Sequence, residues 1–196
     1  MIGGIAANNA SGMCCGTSEN SYKTIADIKL ILADGTELDT ASEESRRSFA
    51  ATHGDMLARL EDIARRIDED KDLKERIQRK YKIKNTTGYS LNAFVDYKDG
   101  FDILKHIIIG AEGTLAFISS ITYNTVVEHP HKGLALMIFP TIKEACEAVQ
   151  ILKQQPVSAV EMMDRASIKS VENAAGVPEY IKTLSADAAG LLVEVR

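Results

Sequence analysis

Cysteine is scarce in this chain, and its spacing excludes a disulfide framework. The 196 residues contain Cys14, Cys15 and Cys146. Neighbouring cysteines rarely bond to each other because the ring they would close is strained. The odd total also argues against complete pairing. The sequence therefore predicts reduced thiols, as in a cytoplasmic protein.

Metal-binding patterns are missing from the sequence as well. The histidines are His53, His106, His129 and His131, and only the last two lie close together. Two histidines without a third ligand make a poor zinc site, and no cysteine has metal-ligand spacing. We therefore predict no metal site in this chain.

Long apolar runs do not occur either. No segment reaches the roughly 20 apolar residues that a membrane-spanning helix needs. The N-terminus lacks the basic start and the long apolar stretch of a secretory signal. No Gly-x-Gly-x-x-Gly follows a strand and opens a helix, which argues against an NAD-binding Rossmann enzyme. These absences predict a cytoplasmic protein without a transmembrane segment.

An excess of basic residues is lacking too. The formal net charge is −5 and the pI is about 5.4. This balance argues against nucleic acid or an anionic membrane as an obligatory partner. The charge-rich segment 65–84 mixes both signs, which is typical of a solvated helical face.

The most informative stretch that is present is the small-residue segment 3–16, GGIAANNASGMCCG. Glycine, alanine, asparagine and serine leave little side-chain bulk here. Glycine permits positive φ, and asparagine tolerates the left-handed conformation. The segment is predicted to be an irregular wall against a flat or anionic cofactor. A flexible N-terminal arm is the alternative that these residues alone leave open.

Hydrophobic periodicity outlines the first two thirds of the chain. Residues 25–32 are predicted to form a strand that turns at Asp34-Gly35 into a second strand, 36–39. Helices are predicted after the cap candidates at 42–45 and after Asp70. The apolar stripe of the first helical region is Met56, Leu60, Ile63 and Ile67. A polar loop at 82–92, a helix at 101–108 and a strand at 115–123 follow.

Beyond residue 130 the pattern becomes strand, helix, strand, helix, strand. The strands are predicted at 134–139, 157–163 and 191–195, with Thr141 and Asp164 capping the helices. This order predicts an α+β fold with a boundary between domains 1–130 and 131–196. The strand 191–195 is predicted to be an exposed sheet edge that pairs with a second copy in a dimer.

Segments of the chain resemble one family when they are taken together. They are IGGIAANNASGM (2–13), IADIKLILADGTELD (25–39), KNTTGYSLNAF (84–94) and IIIGAEGTLAFIS (107–119). Their order and spacing resemble FAD-linked oxidases of the vanillyl-alcohol oxidase (PCMH-type FAD-binding) superfamily, in the D-lactate and 2-hydroxyglutarate dehydrogenase-like branch. The resemblance covers nearly the whole chain but less than half of a full enzyme, so the chain resembles an internal fragment.

The resemblance implies a fold for each domain. Residues 1–130 resemble the second subdomain of a PCMH-type FAD-binding domain, without the N-terminal part that binds the pyrophosphate. Residues 131–196 resemble the first half of an α+β, ferredoxin-like cap or substrate domain. The substrate and metal histidines of the family, and the base that takes the hydroxyl proton, are implied to lie outside this chain, so no catalytic residue is predicted within it.

The resemblance also implies FAD as the cofactor, held without a covalent link although Cys14 and Cys15 lie near. The implied FAD contacts are Gly3, Gly4, Asn8, Ala10, Ser11, Gly12, Glu112, Gly113, Thr114 and Ile118. Lys84 and Asn85 are candidate substrate-binding residues, because their loop presents polar groups to an anion. The larger bacterial members imply an iron–sulfur cluster elsewhere in the parent polypeptide, but this chain has no cysteine spacing for one.

The implied activity is oxidation of a D-2-hydroxy acid, of the D-lactate type, by hydride transfer to the flavin. The implied partners are that small molecule and the rest of the parent polypeptide. A hypothesis from another class stays open at this point: the isolated chain is a non-catalytic folded module that binds no cofactor by itself.

Overall fold

The computed structural model describes residues 1–12, 15–85 and 87–196. The predictions that involve Met13, Cys14 and Thr86 lie outside the described residues. The described chain divides into two compact units, Met1–Val126 and Val127–Arg196. Helices and antiparallel sheets occur together, so the predicted α+β class is confirmed.

The first unit combines helices with an antiparallel sheet. Its elements are α1 (Ile2–Asn8), α2 (Ser21–Thr24), β1 (Ile25–Ile31), β2 (Glu37–Asp39), α3 (Glu43–Glu69), α4 (Lys71–Lys80), α5 (Ala93–Asp96), α6 (Gly100–Ile107) and β3 (Phe117–Tyr123). Within the described residues the sheet order is β2-β1-β3. The central strand β1 carries Ile28 and Leu30, each 1% exposed, into the core.

Local signals in the sequence set several of these boundaries as predicted. The turn after β1 closes through a hydrogen bond from the Leu32 amide to the Thr36 carbonyl, at 2.9 Å. The Ser42 hydroxyl accepts from the Ser45 amide and begins α3. The Asp70 carboxylate accepts from the Leu73 amide and begins α4. Each cap satisfies a helix N-terminal donor that would otherwise have no partner.

The predicted apolar stripe of α3 is only partly right. The helix begins at Glu43, well before Met56, and its buried residues are Phe49, Leu57, Ala64 and Ile67. Ile63, which the stripe places in the core, is 38% exposed. The backbone leaves helical geometry at His53 (φ −123°, ψ 22°), and the kink reorients the face that follows it.

The start of the chain also differs from the prediction. Residues 2–8 form α1 rather than an irregular wall, and Ala6 within it is fully buried. Alanine favours helix, and burial of Ala6 against the rest of the unit offsets the propensity cost of Gly3 and Gly4. The helix ends at Asn9, whose φ of 54° is left-handed. A flexible arm is therefore the wrong interpretation of residues 1–12.

The second unit is a small sheet with helices on its two faces. Its elements are β4 (Gly133–Phe139), α7 (Ile142–Leu152), β5 (Ala159–Met163), α8 (Arg165–Val171), a 3₁₀ helix (Glu179–Thr183) and β6 (Ala189–Val195). The predicted Thr141 cap is confirmed, since its hydroxyl accepts from the Glu144 amide and donates to the Glu144 carboxylate. Asp164 caps α8 through the Ser167 amide. The core of this unit is Ala145, Ala189, Leu191 and Val193.

The last strand is central, which contradicts the predicted sheet edge at 191–195. The order is β4-β6-β5 within the described residues, and β6 is antiparallel to both neighbours. Leu191 pairs with Met137 on one side and Met162 on the other. Because both sides of β6 are already paired, a dimer through this strand is excluded. The β4–α7–β5 crossover leaves a gap one strand wide, which β6 fills.

Among the residues that the structure describes, no helix combines the length and apolarity needed to span a membrane.

Candidate cofactor site

Helix α1 ends against the turn that follows α6. The Gly110 amide donates to the Ala6 carbonyl at 3.0 Å, and the Glu112 amide donates to the Ala7 carbonyl at 2.8 Å. The Asn8 side-chain amide donates to the Glu112 carboxylate at 2.6 Å, across 104 residues of sequence. The last carbonyls of a helix need such external donors. The two segments that the resemblance assigns to the cofactor therefore meet in space.

The turn 110–114 depends on left-handed backbone conformations. The φ angles are 87° at Gly110, 53° at Glu112 and 74° at Gly113. These angles let the chain reverse within a few residues and aim two amides at the end of α1. Glu112 has a β-carbon and takes this conformation at some conformational cost, which the contacts with Ala7 and Asn8 offset.

Replacing Gly110 with alanine is expected to lower the free energy of unfolding by about 1–2 kcal/mol, because an L side chain is strained at positive φ. A steric clash is not the cause of the expected loss of stability, since the new β-carbon would lie at an ordinary contact distance of 3.5 Å from Asn9 and Ser90 atoms. Urea unfolding measures the change. Gly12→Ala is the matched control, because its backbone is not left-handed and no atom lies within 4 Å. Equal stability of both variants would contradict the strain argument.

Lys84 and Tyr89 each contact one of these two segments. The Lys84 ammonium donates to the Ser11 carbonyl at 2.6 Å. The Tyr89 hydroxyl lies 3.0 Å from the Thr114 hydroxyl, which itself donates to the Ala111 carbonyl at 2.6 Å. A threonine hydroxyl has a single proton, so Tyr89 is the donor to Thr114. Lys84 thus lies beside the predicted cofactor residues.

Asn85, the other candidate substrate-binding residue, has a different environment. Its side-chain amide donates to the Thr87 carbonyl within the same loop, at 3.2 Å. It also lines a polar cavity of about 30 Å³ together with Tyr22, Ser90 and Asn92. A cavity of this size holds about one water molecule. The Asn85 side chain therefore lies within the loop and beside a small cavity, where it supports the loop.

Neither the backbone conformation nor the packing of the described chain requires glycine at positions 3, 4 and 12. Gly3, Gly4 and Gly12 are not among the left-handed glycines of the described chain, so positive φ does not explain why they are glycine. A β-carbon placed on Gly4 or Gly12 would meet no atom within 4 Å. On Gly3 it would lie 3.5 Å from the Ile118 carbonyl oxygen, an ordinary contact. Glycine within a helix costs about 0.5–1 kcal/mol relative to alanine, so an external partner is the better explanation.

Ser11 supplies a polar group without a protein partner. Its hydroxyl is buried and makes no hydrogen bond within the described part of the chain. A buried hydroxyl of this kind requires a partner, such as a ligand atom. Gly4 and Gly12 are exposed, so a flat, polar ligand has space beside this segment. Ala10, partly buried, continues this surface from the end of α1.

An aromatic cluster in the interior of the first unit contacts the end of α1 through Tyr22 and Asn9. The sequence analysis did not predict this cluster. The Tyr22 amide donates to the Asn9 side chain at 3.3 Å, and its hydroxyl donates to Asp96 at 3.0 Å. Burial first, and then the Asp96 charge, raise the pKa of the Tyr22 phenol far above its ordinary value. The Tyr97 and His106 rings stack with centroids 3.8 Å apart. The residues of this cluster are far apart in sequence, so no local pattern could reveal it.

His106 is the buried titratable group of this cluster. It is 3% exposed, and its Nδ1 lies 2.7 Å from the Asp102 carbonyl oxygen. A carbonyl only accepts, so Nδ1 carries the proton of the neutral ring. Burial lowers the pKa of His106 to about 4, because a charged ring would lose its hydration.

Among the described residues, no group of three or more histidine, cysteine, aspartate or glutamate side chains has the geometry to hold a metal ion. The polar groups described at this site are backbone amides, hydroxyls and the Lys84 ammonium.

Comparison with known proteins identifies the second unit. Residues 128–196 match the family model of the FAD linked oxidases, C-terminal domain. A curated relative, "D-lactate dehydrogenase [cytochrome], mitochondrial" of Arabidopsis thaliana, is 34% identical over 79 residues. The match covers 39% of this chain and 14% of that relative, so the chain spans a small part of the relative's length.

Proposed function

We propose that the chain is part of an FAD-linked oxidase, since residues 128–196 match that family, and that it serves an FAD-dependent oxidoreductase whose substrate is a D-2-hydroxy acid of the D-lactate type. The family match supports the cofactor, and the name of the Arabidopsis relative supports the substrate class. The first unit is proposed to be a PCMH-type FAD-binding subdomain and the second the start of the cap domain, divided near residue 130. Neither comparison names an iron–sulfur cluster, and we propose none here.

The observation that carries this proposal is the convergence of segments 8–12 and 110–114. Residues that are far apart in sequence form one surface. It has small side chains, a Ser11 hydroxyl without a hydrogen-bond partner, and residues in the left-handed backbone conformation. The proposed FAD contacts are Gly3, Gly4, Asn8, Ala10, Ser11, Gly12, Glu112, Gly113, Thr114 and Ile118. Bound FAD would supply the two-electron acceptor of a dehydrogenase reaction.

The proposed role of the protein's own groups at this surface is to bind and orient the cofactor. The Ser11 hydroxyl can donate or accept one hydrogen bond that the described chain leaves unmade. Thr114 is held by Ala111 and Tyr89, so its oxygen has a defined position. The Glu112 carboxylate fixes the Asn8 amide at 2.6 Å. Preorganised donors and acceptors of this kind require little rearrangement when a ligand binds.

Lys84 is the proposed contact for the substrate's carboxylate. An ammonium group has three N–H donors, and Ser11 takes one of those of Lys84. The exposed ammonium therefore retains donors and a positive charge beside the cofactor surface. Asn85 is proposed to help position this loop. The base that accepts the hydroxyl proton is not assigned to this chain.

The first test is an absorbance titration of the purified chain with FAD. Bound flavin is expected to show perturbed bands in the near-ultraviolet and blue. Ser11→Ala and Thr114→Val are expected to weaken binding by roughly tenfold each, as loss of one hydrogen bond of about 1–2 kcal/mol predicts. Ser48→Ala, on the exposed surface of α3, is the control and should bind as the unchanged chain does.

A second candidate function is a folded module that binds no cofactor alone. The observation favouring it is exposure: Gly4, Gly12, Glu112 and Gly113 all face solvent. Cofactor pockets usually bury most of their ligand. A chain that stays colourless and leaves the FAD spectrum unchanged would support this candidate and contradict FAD binding by the isolated chain.

A further inference from the structure

We propose that Lys84 and Tyr89 are positioning residues, whose hydrogen bonds hold the two cofactor segments ready for FAD. This inference rests on the proposed function for the identity of the ligand. The hydrogen bonds that define the strap belong to the protein itself. The strap is defined as Lys84 and Tyr89 with the hydrogen bonds of their side chains, and the cofactor segments are 8–12 and 110–114.

The end of the strap that carries Tyr89 is firmly anchored. The Tyr81 hydroxyl, at the end of α4, donates to the Tyr89 carbonyl at 2.7 Å and accepts from the Leu91 amide at 3.0 Å. The buried Ser90 hydroxyl donates to the Ile109 carbonyl at 2.7 Å. Ile109 directly precedes the turn 110–114. The backbone from Tyr89 to Leu91 is thus fixed to the base of the cofactor site.

From this anchor, the Tyr89 side chain acts on the turn. Its hydroxyl donates to Thr114, and Thr114 donates to Ala111, which gives a hydrogen-bond chain with a single direction. The chain leaves the Thr114 oxygen one further lone pair. Without Tyr89, the Thr114 hydroxyl would retain Ala111 as its partner but would lose the donor that restrains its outer side.

The other end of the strap locates Ser11. The Lys84 ammonium donates to the Ser11 carbonyl across 73 residues of sequence. Gly12, which follows, has open space around it. An ammonium–carbonyl hydrogen bond is charge-assisted and directional. Lys84 therefore holds the backbone that carries the unpartnered Ser11 hydroxyl.

The strap contributes to the site more than to the core. Lys84 is exposed and Tyr89 is 44% exposed, whereas the core of this unit consists of residues such as Phe49 and Ile28, each 1% exposed. Loss of a strap contact should consequently loosen the cofactor segments without unfolding the unit. This separation of local from global effects distinguishes a positioning role from a general structural one.

The test compares Tyr89→Phe, Lys84→Met and the double variant. Amide hydrogen exchange is measured without FAD, and FAD affinity is measured by absorbance titration. We expect at least fivefold faster exchange of amides 11–12 in Lys84→Met and of amides 112–115 in Tyr89→Phe. We expect FAD affinity to fall roughly tenfold in each, since one hydrogen bond positions each segment. The melting temperature should change by less than about 3 °C, because the loss of one local contact shifts it by only a few degrees.

Matched controls exist in the same chain. Lys82→Met removes an exposed lysine of the same loop, and Tyr180→Phe removes the hydroxyl of a tyrosine that is 52% exposed in the second unit. Both should leave exchange at the cofactor segments and FAD affinity unchanged. Lys84→Arg keeps the charged donor and should restore most of the affinity that Lys84→Met loses.

The outcomes separate the strap from the proposed function. Unchanged exchange in the variants would overturn the strap, whatever FAD does. Faster exchange with unchanged FAD affinity would overturn the positioning role. If the unchanged chain binds no FAD, FAD binding by the isolated chain is contradicted, and the exchange data alone then decide whether the strap holds the two segments.

Discussion

Replacing Gly4 with leucine is expected to stabilise the folded chain and to remove most of its affinity for FAD. Gly4 lies inside α1, where glycine costs about 0.5–1 kcal/mol relative to a good helix former. No atom lies within 4 Å of the position its β-carbon would take, so the fold tolerates the larger side chain. If the cofactor rests on this surface, the leucine side chain occupies its place.

The loss of affinity follows from overpacking. Inserting a side chain into a fitted contact costs about 1–3 kcal/mol, which corresponds to roughly five- to 150-fold weaker binding. Urea unfolding measures the stability, and absorbance titration measures the affinity. Stability and affinity should change in opposite directions, which is the signature of a glycine kept for a ligand.

Gly54→Leu is the matched control for this prediction. Gly54 also lies in a helix, α3, with no atom within 4 Å of its β-carbon position. The variant should gain stability in the same way and bind FAD as the unchanged chain does. Undiminished FAD binding by Gly4→Leu would show that the surface of α1 is not the cofactor contact.

Acid is expected to destabilise the first unit through His106. The pKa of this ring is lowered to about 4 in the folded chain, mainly by burial, whereas an unfolded chain has a histidine pKa of about 6.5. Between these values the unfolded chain binds a proton that the folded chain excludes. The free energy of unfolding therefore falls as the pH drops from about 6.5 to about 4, by roughly 3 kcal/mol in total.

The measurement is the urea midpoint from pH 7.5 down to pH 4. His106→Phe keeps an aromatic ring against Tyr97 and has no proton to gain, so its curve should be flatter over this range. His129→Phe, at an exposed position, is the control and should follow the unchanged chain. Parallel curves for the His106 variant and the unchanged chain would contradict the assignment.

Another group titrates in a different range and does not obscure this test. The Thr36 amide, and then His53, hold the pKa of Asp34 near 2. A lowered carboxyl pKa gives stability that is present above its ordinary value near 4 and is lost only as the pH falls toward 2. The His106 effect, between 6.5 and 4, precedes it.

Protonation of His106 is relevant to the cofactor site because this ring packs against Tyr22, which contacts the end of α1. It packs edge-on against Tyr22, with centroids 5.0 Å apart. The Tyr22 amide donates to Asn9, the residue that ends α1. Opening of this cluster should therefore loosen the end of α1 before it unfolds the sheet. Exchange of amides 8–12 at pH 5 would report the loosening.

The sequence predicted features whose causes lie within a few residues. Asp70 and Thr141 begin helices because a short polar side chain can reach an amide three residues on. The strand at 25–32 follows from alternation, and the turn at Asp34-Gly35 from its residues. The resemblance also paired segments 2–13 and 107–119 as parts of one site, and the structure brings them together.

Other features depended on contacts that no local pattern contains. The buried face of α3 depends on the kink at His53, so Ile63 is exposed while Leu57 is buried. The roles of Tyr89 and Tyr22 depend on partners in other elements. A tyrosine beside a glycine in a polar loop was the one available signal for Tyr89, and it does not specify a partner.

By itself, the sequence determined the caps, the turn, the alternation of strands and helices, and the small side chains of segment 3–16. These depend on interactions over short separations, where the chain's own geometry limits the choices. Only the tertiary structure decided that α1 is a helix, that β6 lies between β4 and β5, and that Asn8 meets Glu112 across 104 residues. Such contacts are selected by the packing of the whole unit, because burial outweighs local preference wherever the two conflict.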